Sequence, residues 1–335
     1  MLESITRNLR EVVTVEELRE LLKKEEKKAY IGFEPSGLVH LGWLMCGDKV
    51  KDLVNAGFEV KILLADWHAW INDKFNGDMN AIKICGEYIK DAFSAMGVSN
   101  VDYIYASDII GDEVYWQIVL KIAKQTSLAR VRRAMDIMGR KAEEADKDIS
   151  KFFYPLMQVA DIFYLNVDVA LGGMDQRHAH MLARDVADKL NMKKPIALHT
   201  PIISSLQTRE RMDAKMSKSK PESAIFIHDD FDVIKKKLKK AYCPEGVAEG
   251  NPVMEIARHI IFQHFNEIEV ERKYEGKIVY SSYDKMEESF LKKELHPLDL
   301  KMAVAEYLEK IISPIRQYFS RHPKNLESVL SYMKK

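Results

Sequence analysis

Few cysteines, no long apolar run and no net charge remove several protein classes before any motif is considered. The chain of 335 residues has three cysteines, Cys46, Cys85 and Cys243, scattered and without a C-x-x-C pair. That excludes a disulfide scaffold and a zinc-cysteine framework, and it fits a reducing, cytoplasmic setting. No uncharged apolar stretch is long enough to span a bilayer, and the first residues lack the apolar core of a secretion signal. No membrane partner is therefore expected. Lys and Arg total 51 against 51 Asp and Glu, so an RNA partner would have to be met by local patches. Neither G-x-G-x-x-G nor G-x-x-x-x-G-K-[ST] occurs, and there is no internal repeat or low-complexity tract. With 47% apolar and 30% charged residues, the chain can build one large or two ordinary domains.

What is present centres on Tyr30-Ile31-Gly32-Phe33-Glu34-Pro35-Ser36-Gly37-Leu38-Val39-His40-Leu41-Gly42-Trp43. Residues 29–33 read as a buried strand, the glycines and proline as a turn, and His40 opens an apolar-periodic helix reaching about residue 55. Free N–H groups and the dipole at a helix start favour a phosphate. Gly32 and Gly42 leave the backbone open to a ligand. The pattern P-S-G-x-x-H-L-G resembles the first signature of class I aminoacyl-tRNA synthetases, and Lys215-Met216-Ser217-Lys218-Ser219 resembles the second. The two stand in the right order, about one nucleotide-binding domain apart. Trp43 departs from the resemblance, which usually has a second histidine or a small polar residue there, so His40 is the one histidine donor of the motif.

Further strands are expected at 59–65, 101–105, 167–171 and 196–199, with helices at 79–96, 113–124, 127–140, 152–165 and 175–191. Thr14 and Glu17 form a capping-box pattern ahead of an N-terminal helix. Alternation of this kind implies an α/β fold, a Rossmann-like parallel sheet covered on both faces. The stretch from about 106 to 166 is too long for a simple crossover and reads as a helical insertion packed as its own unit. Residues 1–228 form the expected catalytic domain. From 229 to 335 helical patterns take over at 231–241, 252–265, 284–293 and 298–318, around a β-type pair at 268–272 and 277–281. Ligands on such sheets sit at the strand carboxyl ends. There the sequence places Gly32 to Gly42, then Asp66-Trp67-His68, then Gly172-Gly173-Met174-Asp175-Gln176.

The helix around Tyr154-Pro155-Leu156-Met157-Gln158-Val159-Ala160-Asp161 carries the most specific signal. Tyr154, Gln158 and Asp161 share one face, while their neighbours are apolar almost all round. The apolar neighbours argue against a solvent face; a polar stripe on a buried helix needs partners, and a ligand is the reading preferred over a structural hydrogen-bond network. Pro155 is expected in the first turn of this helix.

Together with Tyr30 and Gln176, these residues resemble the tyrosyl-tRNA synthetase family of the archaeal and eukaryotic kind over nearly the whole chain. The resemblance implies a tyrosine–tRNA ligase using ATP with Mg²⁺ to make tyrosyl-adenylate, then charging the 3′ end of tRNA(Tyr). It gives Tyr30 and Asp161 the phenolic hydroxyl of L-tyrosine, and Tyr154, Gln158 and Gln176 its amino group. Gly32, His40, Gly42, Gly172, Asp175 and Lys218 fall to ATP, with His40, Lys215 and Lys218 as the catalytic donors and cations. Arg133 and Arg177, near Arg130 and Arg132, would meet the acceptor stem. Tyr274, His296 and Asp299 would read the anticodon in a mainly helical C-terminal domain. A homodimer paired through the insertion, and no protein-held metal, are also implied. His178 and His180 lie two apart on different faces with no carboxylate or thiolate to complete a metal set; both read as structural or surface residues, and His68 as a border of the pocket. A tryptophanyl relative and a non-catalytic RNA-binding descendant are the competing readings. The first is disfavoured because an indole N–H is only a donor and needs no facing hydroxyl. The second is disfavoured by the intact His40 and Lys215–Ser219 motifs.

Overall fold

The computed structural model describes residues 1–139, 148–207, 216, 221–273 and 276–334. Two compact units emerge: Met1–Gly37 with Cys46–Pro201 and Asn325–Lys335, and Leu38–Met45 with Ile202–Lys324.

The first unit is built on six strands: β1 (Glu11–Val13), β2 (Lys28–Phe33), β3 (Glu59–Leu64), β4 (Asp102–Tyr105), β5 (Val169–Gly173) and β6 (Ile196–Thr200). Their order is β1-β6-β5-β2-β3-β4. Every pairing is parallel except β1 with β6, which sets Glu11 opposite His199 in an antiparallel edge. The alternation of apolar strands and helices anticipates the five parallel strands; β1 is three residues long, too short to show a period. From β2 the chain winds to β3 and β4 on one side, then returns to β5 and β6 on the other. The carboxyl ends of β2 and β5 therefore flank the crevice where the winding reverses.

Helix Val15–Leu21 starts in the expected capping box: the Glu17 N–H reaches the Thr14 hydroxyl at 3.2 Å, and the Thr14 N–H reaches the Glu17 carboxylate at 3.0 Å. Helix Gly42–Asn55 follows β2 and helix Met79–Ala95 precedes β4. The insertion holds helices Glu113–Gln125, Leu128–Ala134 and Ser150–Tyr164. The single helix expected at 127–140 instead ends in a 3-10 turn, Met135–Met138, stopped by Gly139 at φ 67°. Helix Ser150–Tyr164 begins two residues ahead of expectation, so Pro155 sits inside it rather than in its first turn. Nor is the insertion a separate unit. Tyr115, Ile118, Val119 and Ile122 join Leu63, Ala65 and Ala170 in one apolar cluster, because Ser150–Tyr164 is apolar on nearly every face and packs both ways.

The second unit is mainly helical, with Phe231–Lys240, Tyr283–Leu291 and Pro297–Arg321 beside a hairpin, Ile268–Arg272 with Gly276–Tyr280. The helix expected at 252–265 is broken by a π-turn at Ala257–Ile261. The main run of this unit, Ile202–Lys324, begins ahead of residue 229. Among the described residues no strand after β6 joins the sheet, while the Tyr242 N–H bonds the Leu206 carbonyl and Glu255 holds Ser204. A last helix, Lys324–Met333, lies beyond the expected elements, although Leu326, Val329, Leu330 and Met333 stand at helical spacing. It returns to the first unit, where Asn325 donates to Asp91 at 2.8 Å and Asn80 donates to the Tyr332 hydroxyl at 2.9 Å.

Candidate active site

Asp161 lies near the end of helix Ser150–Tyr164 and is 1% exposed. Burial pushes its carboxyl up to about 8, against the pull of the Tyr115 hydroxyl on Oδ1 at 2.8 Å. Oδ2 has no hydrogen-bond donor among the described residues. His68 Nε2 stands 3.3 Å from it, but both ring nitrogens lack hydrogen-bond partners among those residues. Burial also pulls His68 down to about 4, so it is neutral at pH 7 and the close approach is not an ion pair. Tyr30, 2% exposed, completes the group; burial and the nearby Asp161 charge hold its hydroxyl well above the ordinary range, so it remains a donor. A buried carboxyl oxygen without a donor among the described residues, next to a phenolic donor, suits a ligand hydroxyl that both donates and accepts a hydrogen bond.

Beside it, the Tyr154 hydroxyl donates to Glu34 Oε2 at 2.9 Å, and Asn72 Nδ2 donates to the same oxygen at 2.8 Å. Lys74 Nζ lies 3.3 Å from Glu34 Oε1. Gln158 Nε2 donates to Gln176 Oε1 at 3.1 Å. Lys151, buried at the helix start, donates to the Ile71 carbonyl and to Asp73, which locks the helix to the segment after β3. The structure brings Tyr30, Tyr154 and Asp161 near one another and pairs Gln158 with Gln176; it adds Tyr115, Glu34 and Asn72, which the sequence did not single out. Tyr115 carried no polar stripe, and Glu34 lay inside the glycine motif, where attention fell on the backbone.

The glycines also make room for neighbouring side chains. A Cβ on Gly32 would lie 2.6 Å from Tyr30 Oη. A Cβ on Gly172 would meet His180 Cε1 at 3.0 Å, and one on Gly173 would meet Asp175 Oδ1 at 2.5 Å. His180 is fully buried and its Nδ1 lies 3.1 Å from His199 Nε2; His199 Nδ1 lies 2.8 Å from Glu11. Glu11 in turn receives Arg177 at 2.8 and 2.9 Å through both arms of the guanidinium. His180 is structural, while His178 is exposed.

In the second unit, His40 Nδ1 accepts the Gly42 N–H at 3.1 Å, which leaves Nε2 as the protonated nitrogen. The Val39–Leu41 segment is held by backbone bonds to Ile225 and Ile227. Trp43 is 9% exposed, consistent with a place in the core. His296 caps helix Pro297–Arg321, its Nδ1 accepting the Leu298 N–H at 3.1 Å, and Asp299 lies in the first turn of that helix. Lys215, Lys218 and Tyr274 lie outside the described residues. In the first unit Arg133 is exposed, whereas Arg130 is bound to Asp185 at 3.0 Å and Arg132 lies over the Phe152 ring. Among the described residues no three His, Cys, Asp or Glu side chains converge on a metal position, and no helix is long and apolar enough to cross a membrane.

The family model described as tRNA synthetases class I (W and Y) matches residues 22–313. A tyrosine–tRNA ligase of Sulfurisphaera tokodaii is 53% identical over 329 residues, spanning 93% of this chain and 90% of the relative. Among solved structures, the tyrosyl-tRNA synthetase from Aeropyrum pernix is similar at a TM-score of 0.91 and 48% identity, covering 100% of this chain and 98% of that one. The tyrosyl-tRNA synthetase from Pyrococcus horikoshii, complexed with L-tyrosine, is similar at 0.92 and 41% identity, with 98% of each chain covered.

Proposed function

Since the chain belongs to the class I tRNA synthetases of the tryptophan and tyrosine group, and within it to the tyrosine–tRNA ligases, we propose that the pocket around Asp161 is its tyrosine site. The enzyme activates L-tyrosine with ATP to tyrosyl-adenylate and transfers the tyrosyl group to tRNA. The observation that carries the site reading is the buried Asp161 carboxylate with an oxygen left open beside Tyr30. In this reading Tyr30 donates to the phenol oxygen, and Asp161 Oδ2 accepts the phenol proton. Tyr154, Gln158 and Gln176 present oxygens to the substrate ammonium, and Glu34 orients Tyr154.

Activation places charge on the α-phosphate and on the leaving pyrophosphate, so positioned donors and cations matter more than an acid or base. His40 Nε2–H, Lys215 and Lys218 take that role in the proposal, with Gly32, Gly42, Gly172 and Asp175 lining the ATP seat. Mg²⁺ would enter on the phosphates of ATP, and no step is assigned to it. Arg133 and Arg177 are proposed for the acceptor stem. Tyr274, His296 and Asp299 are proposed for the anticodon; capping leaves His296 Nε2–H exposed for a base edge. The unreacted thiols Cys46, Cys85 and Cys243 suit the cytoplasm.

Amino-acid-dependent ATP–pyrophosphate exchange tests the reading. Tyrosine should support exchange, and tryptophan should not. His40→Ala should lower kcat by about tenfold or more, with KM for tyrosine little changed, because its donor serves the transition state. Exchange with tryptophan in place of tyrosine would reject the assignment.

A homodimer paired through the insertion is also proposed. Trp116 and Leu120, one helical turn apart, and Leu128 are exposed apolar side chains there, Leu120 at 63%. Leu120→Lys should shift the sedimenting species from dimer towards monomer. A wild-type monomer at micromolar concentration would refute the pairing.

A further inference from the structure

Helix Glu113–Gln125 brings one polar atom to the pocket that the reaction outlined above does not use. Tyr115 is fully buried in the first turn of that helix. Its Oη lies 2.8 Å from Asp161 Oδ1 and 3.2 Å from the Met157 carbonyl oxygen. With one proton to donate, the hydroxyl serves the nearer carboxylate oxygen. The ring itself is held between Trp116 and Tyr164, both in edge contact, and the Tyr164 hydroxyl is tied to Asp112 at 2.7 Å. The two oxygens of Asp161 therefore differ: Oδ1 is satisfied from within the fold, whereas Oδ2 has no donor among the described residues.

We propose that Tyr115 is a positioning residue for amino-acid selection: by engaging Oδ1 it sets the rotation of the Asp161 carboxylate, so that Oδ2 is the oxygen offered to the substrate hydroxyl. This rests on the reading of the pocket as the tyrosine site. The physical need is plain. The carboxylate torsion is a broad, two-fold one, so packing alone does not choose between its oxygens. A buried carboxylate without donors also takes up a proton, and a carboxylic acid offers a proton where the phenol needs an acceptor.

The groups facing Asp161 are Tyr115 from helix Glu113–Gln125, Tyr30 from β2, His68 from helix Asp66–Ile71, and Tyr154 two turns earlier on Asp161's own helix. Among them Tyr115 is the one whose bond opposes protonation of Asp161. Burial holds Asp161 at about 8 in the free enzyme, so at pH 7 tyrosine binding must displace its proton, and KM for tyrosine rises as pH falls below about 8. Losing the Tyr115 bond moves that rise to higher pH.

Tyr115→Phe removes one oxygen and keeps the ring. In the exchange assay kcat/KM for tyrosine should fall about tenfold, mostly through KM, while kcat/KM for phenylalanine stays where it was. The pH at which KM for tyrosine rises should move upward. In an Asp161→Asn background the same change should alter selectivity no further, since Tyr115 acts through that carboxylate. Equal losses for tyrosine and phenylalanine with an unmoved pH profile would make Tyr115 a packing residue and overturn the proposal. If wild-type protein supports tyrosine exchange and Tyr115→Phe matches it, this proposal alone falls. If wild-type protein supports none, the site reading falls and takes this proposal with it.

Discussion

Asp161→Asn is expected to strip the enzyme of most of its preference for tyrosine over phenylalanine. Asparagine keeps the shape of the side chain and removes its charge. Tyr115 already donates to Oδ1, and the phenol of the substrate is to donate to Oδ2, so the site is built around an acceptor with two occupied faces. An amide offers one acceptor and one N–H pair, and one of the two hydroxyls must then face a donor. A hydrogen bond to a buried charged group contributes about 1.5–3 kcal/mol, and an orphaned partner adds its own desolvation. The ratio of kcat/KM for tyrosine to that for phenylalanine should fall by roughly a hundredfold. Tyrosyl-tRNA synthetases reject phenylalanine by about 10⁵ without editing, a family value that these distances do not yield. The variant should therefore still favour tyrosine weakly through Tyr30. Activation of phenylalanine should change little, because that substrate never used the carboxylate. Exchange rates for both amino acids on the same preparation decide the matter, and an unchanged ratio would remove Asp161 from the recognition site.

One methyl group on Gly32 should do comparable harm from the opposite wall. Its Cβ would sit 2.6 Å from Tyr30 Oη, closer than carbon approaches oxygen, and a tight 3.2 Å from Cζ. The backbone has no room to yield, since β2 is paired on both sides, Gly32 with Leu63 and Tyr30 with Ala170. Tyr30 is nearly fully buried, so its ring can only swing toward the pocket. That movement displaces the phenolic donor and fills space the substrate needs. KM for tyrosine should rise by more than about tenfold, with a stability loss of about 1–3 kcal/mol typical of overpacking. Gly111→Ala is the control: its added Cβ meets nothing within 4 Å, and its kinetics should match wild type. If Gly32→Ala binds tyrosine normally, the Tyr30 hydroxyl does not hold the substrate where proposed.

Short-range order was largely readable from the residues. Thr14 and Glu17 cap their helix as their spacing says, and the parallel strands fall close to the apolar runs that suggested them. Tyr154, Gln158 and Asp161 lie on one buried helix face because i, i+4 and i+7 share a face in any context. Such features depend on the backbone period and on neighbours a few residues away. The motif around His40 was legible for the same reason, as a contiguous string.

Other features required distant parts of the chain to meet. Tyr115 stands 46 residues from the carboxylate it bonds, and Tyr154 stands 120 residues from Glu34. Neither pairing leaves a period in the sequence, because it is created when helix Ser150–Tyr164 is buried between the sheet and the other helices of the insertion. Burial likewise moves Asp161 up and His68 down, a property of the surrounding atoms rather than of the residue types. The three-residue strand β1 exists because β6 offers it an edge, and through Glu11 it ties Arg177 to two buried histidines. Local composition thus named the chemistry this protein can perform. Packing chose which oxygen, which tautomer and which charge state are presented for it, since those depend on how close in space remote residues are brought.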